Sequence, residues 1–180
     1  VVPGTVEDAQ NLLYSALLDP NPVLYFEHKK LYRSLKATTP DKATYEPLGA
    51  AKVQREGTNA TIITYGMGVQ WGFEICDKYA EKGISIELLD LRCLAPLDLE
   101  SIKKSVQKTG RVLLLQEPSL TMGPMSEVSS LINEHCFEWL DAPVMRVAAL
   151  DMPIPFSKKL EEGTMANYNL EAELTRLLDY

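Results

Sequence analysis

The chain has 180 residues, 46% hydrophobic and 24% charged, which is room for one compact domain and a short annex but not for two full domains. Its formal net charge of -7 repels phosphate backbones and anionic bilayers, so nucleic acid and membrane are not expected as partners, whereas a basic protein is. No apolar run nears the ~20 residues of a membrane span, and nothing reads as a secretion signal. Cys76, Cys93 and Cys136 with the distant His28 and His135 have no zinc-ligand spacing and read as free thiols in a reducing compartment.

Thr5-Val6-Glu7-Asp8 is close to a capping box and opens a helix carrying Leu12, Leu13, Ala16 and Leu17, which stops before Pro20. Val23 to Phe26 is an apolar run that suits a buried strand. Glu27 to Thr44 is polar, with turn chemistry at Thr38-Thr39-Pro40-Asp41, and reads as a linker that sets residues 1 to about 40 apart. Ala51 to Arg55 is a candidate edge strand, and Thr61 to Tyr65 a β-branched strand. Trp71, Ile75 and Tyr79 mark a helix closed by Gly83. Ile84 to Leu91 is strand-like. Asp98 caps a helix that bears Leu99, Ile102 and Val106 and ends at Gly110. Arg111 to Leu115 is a buried strand, Val128 to Ile132 lies in a helix starting after Pro124, and Val144 to Leu150 is a further strand. Glu171 to Leu178 is a short closing helix. Strands and helices alternating in this way predict an α/β fold: a three-layer α/β/α sandwich around a mostly parallel sheet.

Gly66-Met67-Gly68 follows a strand and opens a helix, and Asp90 ends the next strand, which is the arrangement of a dinucleotide site. Trp71 stands where the third glycine of that motif belongs, so a small-residue strand-to-helix turn is the favoured reading. His28 beside Glu27 is a candidate proton-transfer pair, but neighbours on a strand face opposite sides. Glu117 ends a strand at the position where open α/β sheets bind ligands, and reads either as a site acid or as a local cap. Ser119 has no partner histidine that would make it a nucleophile.

Three segments, taken together, resemble a known family: Val23-Leu24-Tyr25-Phe26-Glu27-His28-Lys29-Lys30-Leu31-Tyr32-Arg33, Leu89-Asp90-Leu91-Arg92 with Pro96-Leu97-Asp98, and Leu140-Asp141-Ala142-Pro143 with Arg146-Val147. In that order they resemble the beta subunit of the thiamine-diphosphate-dependent pyruvate and branched-chain 2-oxoacid dehydrogenases. Asp151 to Phe156 with Leu160-Glu161 fits the segment near that subunit's end. The resemblance implies the tail of a pyrimidine-binding domain plus linker over residues 1–40, and a transketolase-type C-terminal domain over residues 45–180. A start at Val1 without methionine fits a fragment, and the end of a fused alpha-beta chain is one source for it.

In the family, the complete enzyme oxidatively decarboxylates a 2-oxoacid with thiamine diphosphate and magnesium and passes the acyl group to lipoamide. The resemblance implies no catalytic or cofactor-binding residue here, so the fragment alone is expected to be inactive and to serve in subunit association and docking. It implies as partners the alpha part, a second beta subunit and the subunit-binding domain of the lipoyl acyltransferase core. It also implies a potassium site formed by Ala16, Leu17, Asp19 and Asn21, residues that equally fit an Asx-type helix stop. Asp141 and Tyr180 are the implied contacts to the core. The expected compartment is the bacterial cytoplasm or the mitochondrial matrix. Gly123-Pro124-Met125-Ser126-Glu127 and the loop Pro118 to Met122 depart from the family pattern. A nucleotide-binding domain using Gly66, Gly68 and Asp90 is one rival, and the C-terminal domain of another transketolase-like enzyme, such as transketolase proper or acetoin dehydrogenase, is a second.

Overall fold

The computed structural model describes residues 1–38 and 41–180, so Thr39 and Pro40 of the expected turn lie outside the described residues. Its elements run α1 (Val6–Leu18), α2 (Leu31–Ser34), β1 (Lys52–Arg55), β2 (Ala60–Thr64), α3 (Met67–Ala80), β3 (Ile86–Asp90), α4 (Leu99–Thr109), β4 (Val112–Ser119), α5 (Pro124–Cys136), a single 3-10 turn (Phe137–Trp139), β5 (Met145–Ala149), α6 (Lys158–Thr164) and α7 (Ala166–Leu178). The sheet order is β1-β3-β2-β4-β5. β1 is an antiparallel edge strand on β3, and the other pairings are parallel.

The three layers follow from the two-residue alternation of the strands. On one face Ala60, Ile62, Leu88, Leu113, Leu115 and Val147 pack with Trp71, Ile75 and Tyr79 of α3 and with Leu170, Leu174 and Leu177 of α7. On the other, Ile63, Leu89, Val112 and Leu114 pack with Ile102 and Val106 of α4 and Val128 and Ile132 of α5. Both faces of the parallel strands are therefore dry, which is why β2 and the start of β4 are uninterrupted apolar or β-branched runs, while β3 breaks its run only with Glu87 and Asp90. Local signals set the helix ends. Thr5 Oγ1 accepts from the Asp8 N–H (3.1 Å), and Asp98 accepts from the Ser101 N–H (3.0 Å). Gly110 ends α4 at φ 64°, a conformation open to a residue without Cβ. The sandwich is as the sequence predicts, with α7 starting earlier than expected, α6 unforeseen, and the short helix α2 lying in the stretch read as linker.

Val23–Phe26 is not a strand of the structure. Leu24 is 74% and Phe26 58% exposed. One backbone rung and one side chain hold the segment: the Val1 amino group donates to Leu24 O (2.8 Å), the Phe26 N–H donates to Val1 O (2.9 Å), and the Tyr25 hydroxyl donates to Ala9 O of α1 (2.7 Å). An apolar run becomes a buried strand only where other strands take its edges and a layer covers its side chains. Here Val1 takes one edge, and only Tyr25 reaches α1. α1 shows the same inversion, because it buries Asp8, Asn11, Leu12 and Ser15 and leaves Leu13, Leu17 and Leu18 exposed.

Candidate functional site

In an open α/β sheet the crevice for ligands lies beyond the carboxyl ends of the strands, where successive connections leave in opposite directions. The order β1-β3-β2-β4-β5 puts that point between β2 and β4. Tyr65 follows β2 there, and Glu117 lies in β4. The chain's own N-terminal segment fills the crevice. Gly4 sits so close to Val69 and the Gly66 carbonyl that a Cβ would collide with both. Gln70 Nε2 donates to Gly4 O (2.7 Å), and the Val2 N–H donates to Arg92 O (2.8 Å).

Into the same place comes His28, whose Nε2 lies 2.9 Å from the Glu117 carboxylate. His28 Nδ1 is buried without a hydrogen bond among the described residues. A ring held in this way donates its Nε2 proton to Glu117, because Nδ1–H would be a buried unpaired donor. Burial and the Glu117 charge push the Tyr65 hydroxyl up to about 12, so it stays protonated beside the acid. Beside the pair a cavity of about 230 Å³ is lined by Pro3, Val6, Ala9, Leu31 and Leu35, with Glu27 and Tyr32 at its polar side. Tyr32 donates to Glu27 (2.6 Å). Chemically, the arrangement is a proton-holding imidazole–carboxylate pair on the lip of an apolar hollow.

The sequence offered both members but not the pair, because they are 89 positions apart and pairing by neighbourhood suggested Glu27 instead. The one available signal was Glu117's place at a strand end. The dinucleotide reading fails on packing. Gly68 and Gly72 lie four residues apart on the stripe of α3 that faces the sheet, where a Cβ would strike Thr64 Oγ1 and Leu88 Cδ1 respectively. Their smallness serves the helix–sheet approach, the Gly66 turn is covered by Gly4, and Asp90 is fully buried, accepting from the Gln54 side chain and the Arg92 N–H.

A family model described as "Transketolase, C-terminal domain" matches residues 49–169. The chain belongs to that family. It is 41% identical over its whole length to the 2-oxoisovalerate dehydrogenase subunit beta of Bacillus subtilis (strain 168), spanning 56% of that protein. It is 44% identical to the pyruvate dehydrogenase E1 component subunit beta of the same organism, over 88% of this chain and 49% of the relative. A mitochondrial pyruvate dehydrogenase E1 component subunit beta of Dictyostelium discoideum is 38% identical over 92% of the chain and 47% of its own length. The chain thus spans about half the length of these relatives. Among solved structures, "Split gene transketolase, inactive beta4 tetramer" superposes with a TM-score of 0.78 at 22% identity, covering 99% of this chain and 56% of that one; at that identity the match speaks for the fold.

In this transketolase C-terminal domain, Asp141 and Tyr180 come to the same end of the sheet, opposite the crevice. The Asp141 N–H donates to Gly110 O (2.8 Å), just ahead of β4, and its side chain is exposed. α7 starts near the outgoing end of β5, where the Leu150 N–H donates to Thr164 O (3.1 Å), and runs down to Arg176, which touches Met145 at the strand's start (3.2 Å). Tyr180 follows, 61% exposed. At the end of α1, Asp19 Oδ1 accepts from the Asn21 N–H (2.8 Å) and Nδ2 (3.1 Å), an Asx turn. Pro20 has no N–H to give Ala16, and Asn21 spends its N–H on Asp19, so the carbonyls of Ala16 and Leu17 lack their helical donors. Among the described residues no group of three or more His, Cys, Asp or Glu side chains is placed to hold a metal ion, and no helix is long and apolar enough to cross a membrane.

Proposed function

We propose that this chain is the C-terminal association and docking part of the beta component of a 2-oxoacid dehydrogenase. The observation that carries the reading is the placement of Asp141 and Tyr180 toward the same exposed end of the sheet, remote from the crevice, in a chain similar throughout its length to such subunits. An exposed carboxylate beside a turn is suited to a bidentate arginine, and the net charge of -7 steers a basic domain toward it. The partner at this end is the subunit-binding domain of the lipoyl acyltransferase core.

The crevice end turns toward the alpha part and a second beta subunit. Exposed Leu13, Leu17, Leu24 and Phe26 supply the apolar area for that association. Residues 1–40 form the tail of a pyrimidine-binding domain with its linker, and residues 45–180 form the C-terminal domain. In the complete enzyme a 2-oxoacid is decarboxylated and its acyl group transferred to lipoamide, with thiamine diphosphate and magnesium supplying the decarboxylation chemistry. On this reading the chain, which spans about half the length of those subunits, is inactive by itself. Its own contribution is the His28–Glu117 pair, which holds a proton at the lip of the interface. The open carbonyls of Ala16 and Leu17, with the oxygens of Asp19 and Asn21, suit a hard cation, and potassium would lock the end of α1 there.

Calorimetric titration with the subunit-binding domain tests the docking. Salt-sensitive binding that Asp141→Ala abolishes supports it, and a folded wild-type chain that does not bind overturns it.

A further inference from the structure

The end of β3 carries a junction that neither the docking reading nor the crevice explains. Asp90 is fully buried and Asp8 is 1% exposed. The two carboxylates share one donor, Gln54 Nε2, at 3.1 Å from Asp8 Oδ2 and 3.3 Å from Asp90 Oδ2. The Arg92 N–H adds a bond to Asp90 Oδ1 (2.9 Å). The Arg92 guanidinium goes elsewhere: Nη1 to Asp8 (3.1 Å) and Glu46 (3.2 Å), and Nε to Ala50 O (2.9 Å). Lys52 on β1 lies 3.1 Å from Glu7 and 3.8 Å from Asp8. Asp98, at the head of α4, is taken by the Ala51 N–H and Ser101. Ionised Asp90 is thus a second buried negative charge beside Asp8, and the nearest guanidinium is already shared between two other acids.

α1 depends on this junction. Its buried face offers one aliphatic side chain, Leu12, and otherwise Asp8, Asn11 and Ser15, the latter two accepting from the Thr44 N–H (2.9 Å) and the Glu46 N–H (2.8 Å). Arg92 also fixes Val2 through its carbonyl, from a backbone at φ 55°, a left-handed conformation that a residue with a side chain adopts only when its surroundings hold it.

We propose that Asp8, Gln54 and Asp90 form a proton-controlled latch, closed when Asp90 is neutral and loosened when it ionises, which seats α1 and the segment carrying His28 on the rim of the sheet. Burial pushes Asp90 up to about 7, the Arg92 N–H bond opposing and the Asp8 charge adding, so the change falls near neutral pH. In the unfolded chain an aspartate titrates near 3.9. The folded chain therefore binds the extra proton between about pH 4 and 7; its stability falls as pH rises through that window and levels off above it. The latch stands whether or not the core-docking reading does.

Hydrogen exchange of the amides of residues 6–18, corrected for intrinsic rates, tests it in the whole chain. Between about pH 5.5 and 8.5 the wild-type protection of α1 should fall roughly tenfold or more, relative to α4. Asp90→Asn, neutral at every pH, should keep the low-pH protection throughout. Protection that does not fall in the wild type, or that falls equally in Asp90→Asn, overturns the latch. Should Asp90→Asn fail to fold, Asp8→Asn decides: without the facing charge Asp90 gives up its proton more readily, so the midpoint of the fall should move to lower pH, and an unmoved midpoint overturns the proposal.

Discussion

α1 and α7 each run for 13 residues and carry leucines at helical spacing, yet they dock in opposite senses. α7 lays Ala166, Leu170, Leu174 and Leu177 on the sheet. α1 turns Asp8, Asn11 and Ser15 inward and leaves Leu17 76% exposed. A helix turns its apolar stripe to whatever can cover it. For α7 the cover is β4 and β5 of this chain; for α1 the polar face meets the rim through directed hydrogen bonds, and the apolar stripe faces outward. One helix is held by area, the other by matched partners.

The comparison can be broken at its strongest points first. Arg92→Ala leaves Glu46 without its guanidinium partner and Asp8 with Lys52 alone, and should cost about 3–5 kcal/mol in urea denaturation; a loss under 1 would show that α1 is not held by charge. Leu174→Ala should cost about 2–5 kcal/mol through lost burial and a cavity, with no change in its pH dependence. Thr5→Ala removes the cap of α1 and should cost about 1 kcal/mol, read as faster exchange at the start of that helix. Leu17→Ser should leave stability within about 0.5 kcal/mol, while weakening any association through this face seen by analytical ultracentrifugation. Cys76, pushed up to about 11 by burial, should resist thiol reagents at neutral pH until the chain unfolds.

The crevice teaches a related point. Val2–Gly4 and His28 reach it from a segment that composition alone marks as an annex, so the pair with Glu117 exists only because α1 folds that segment back over the strand ends. The glycines of α3 were visible in the sequence, but their use was not. Smallness at positions 68 and 72 reads alike for a phosphate and for a close strand, and Thr64 and Leu88 decide between them.

By itself the sequence determined the α/β alternation, the buried strands, and the caps at Thr5, Asp98 and Gly110. These depend on period, β-branching and bonds between residues a few positions apart. The segments from Val23 onward and around Asp141 also carried the family resemblance. Only the tertiary structure decided which face of α1 is inside, that Val23–Phe26 stays uncovered, that His28 finds Glu117, and that Asp8 faces Asp90. Each of these is a contact between residues far apart in the chain. Whether an apolar stripe is buried, or an acid keeps its proton, depends on what lies across from it, and the fold alone sets that.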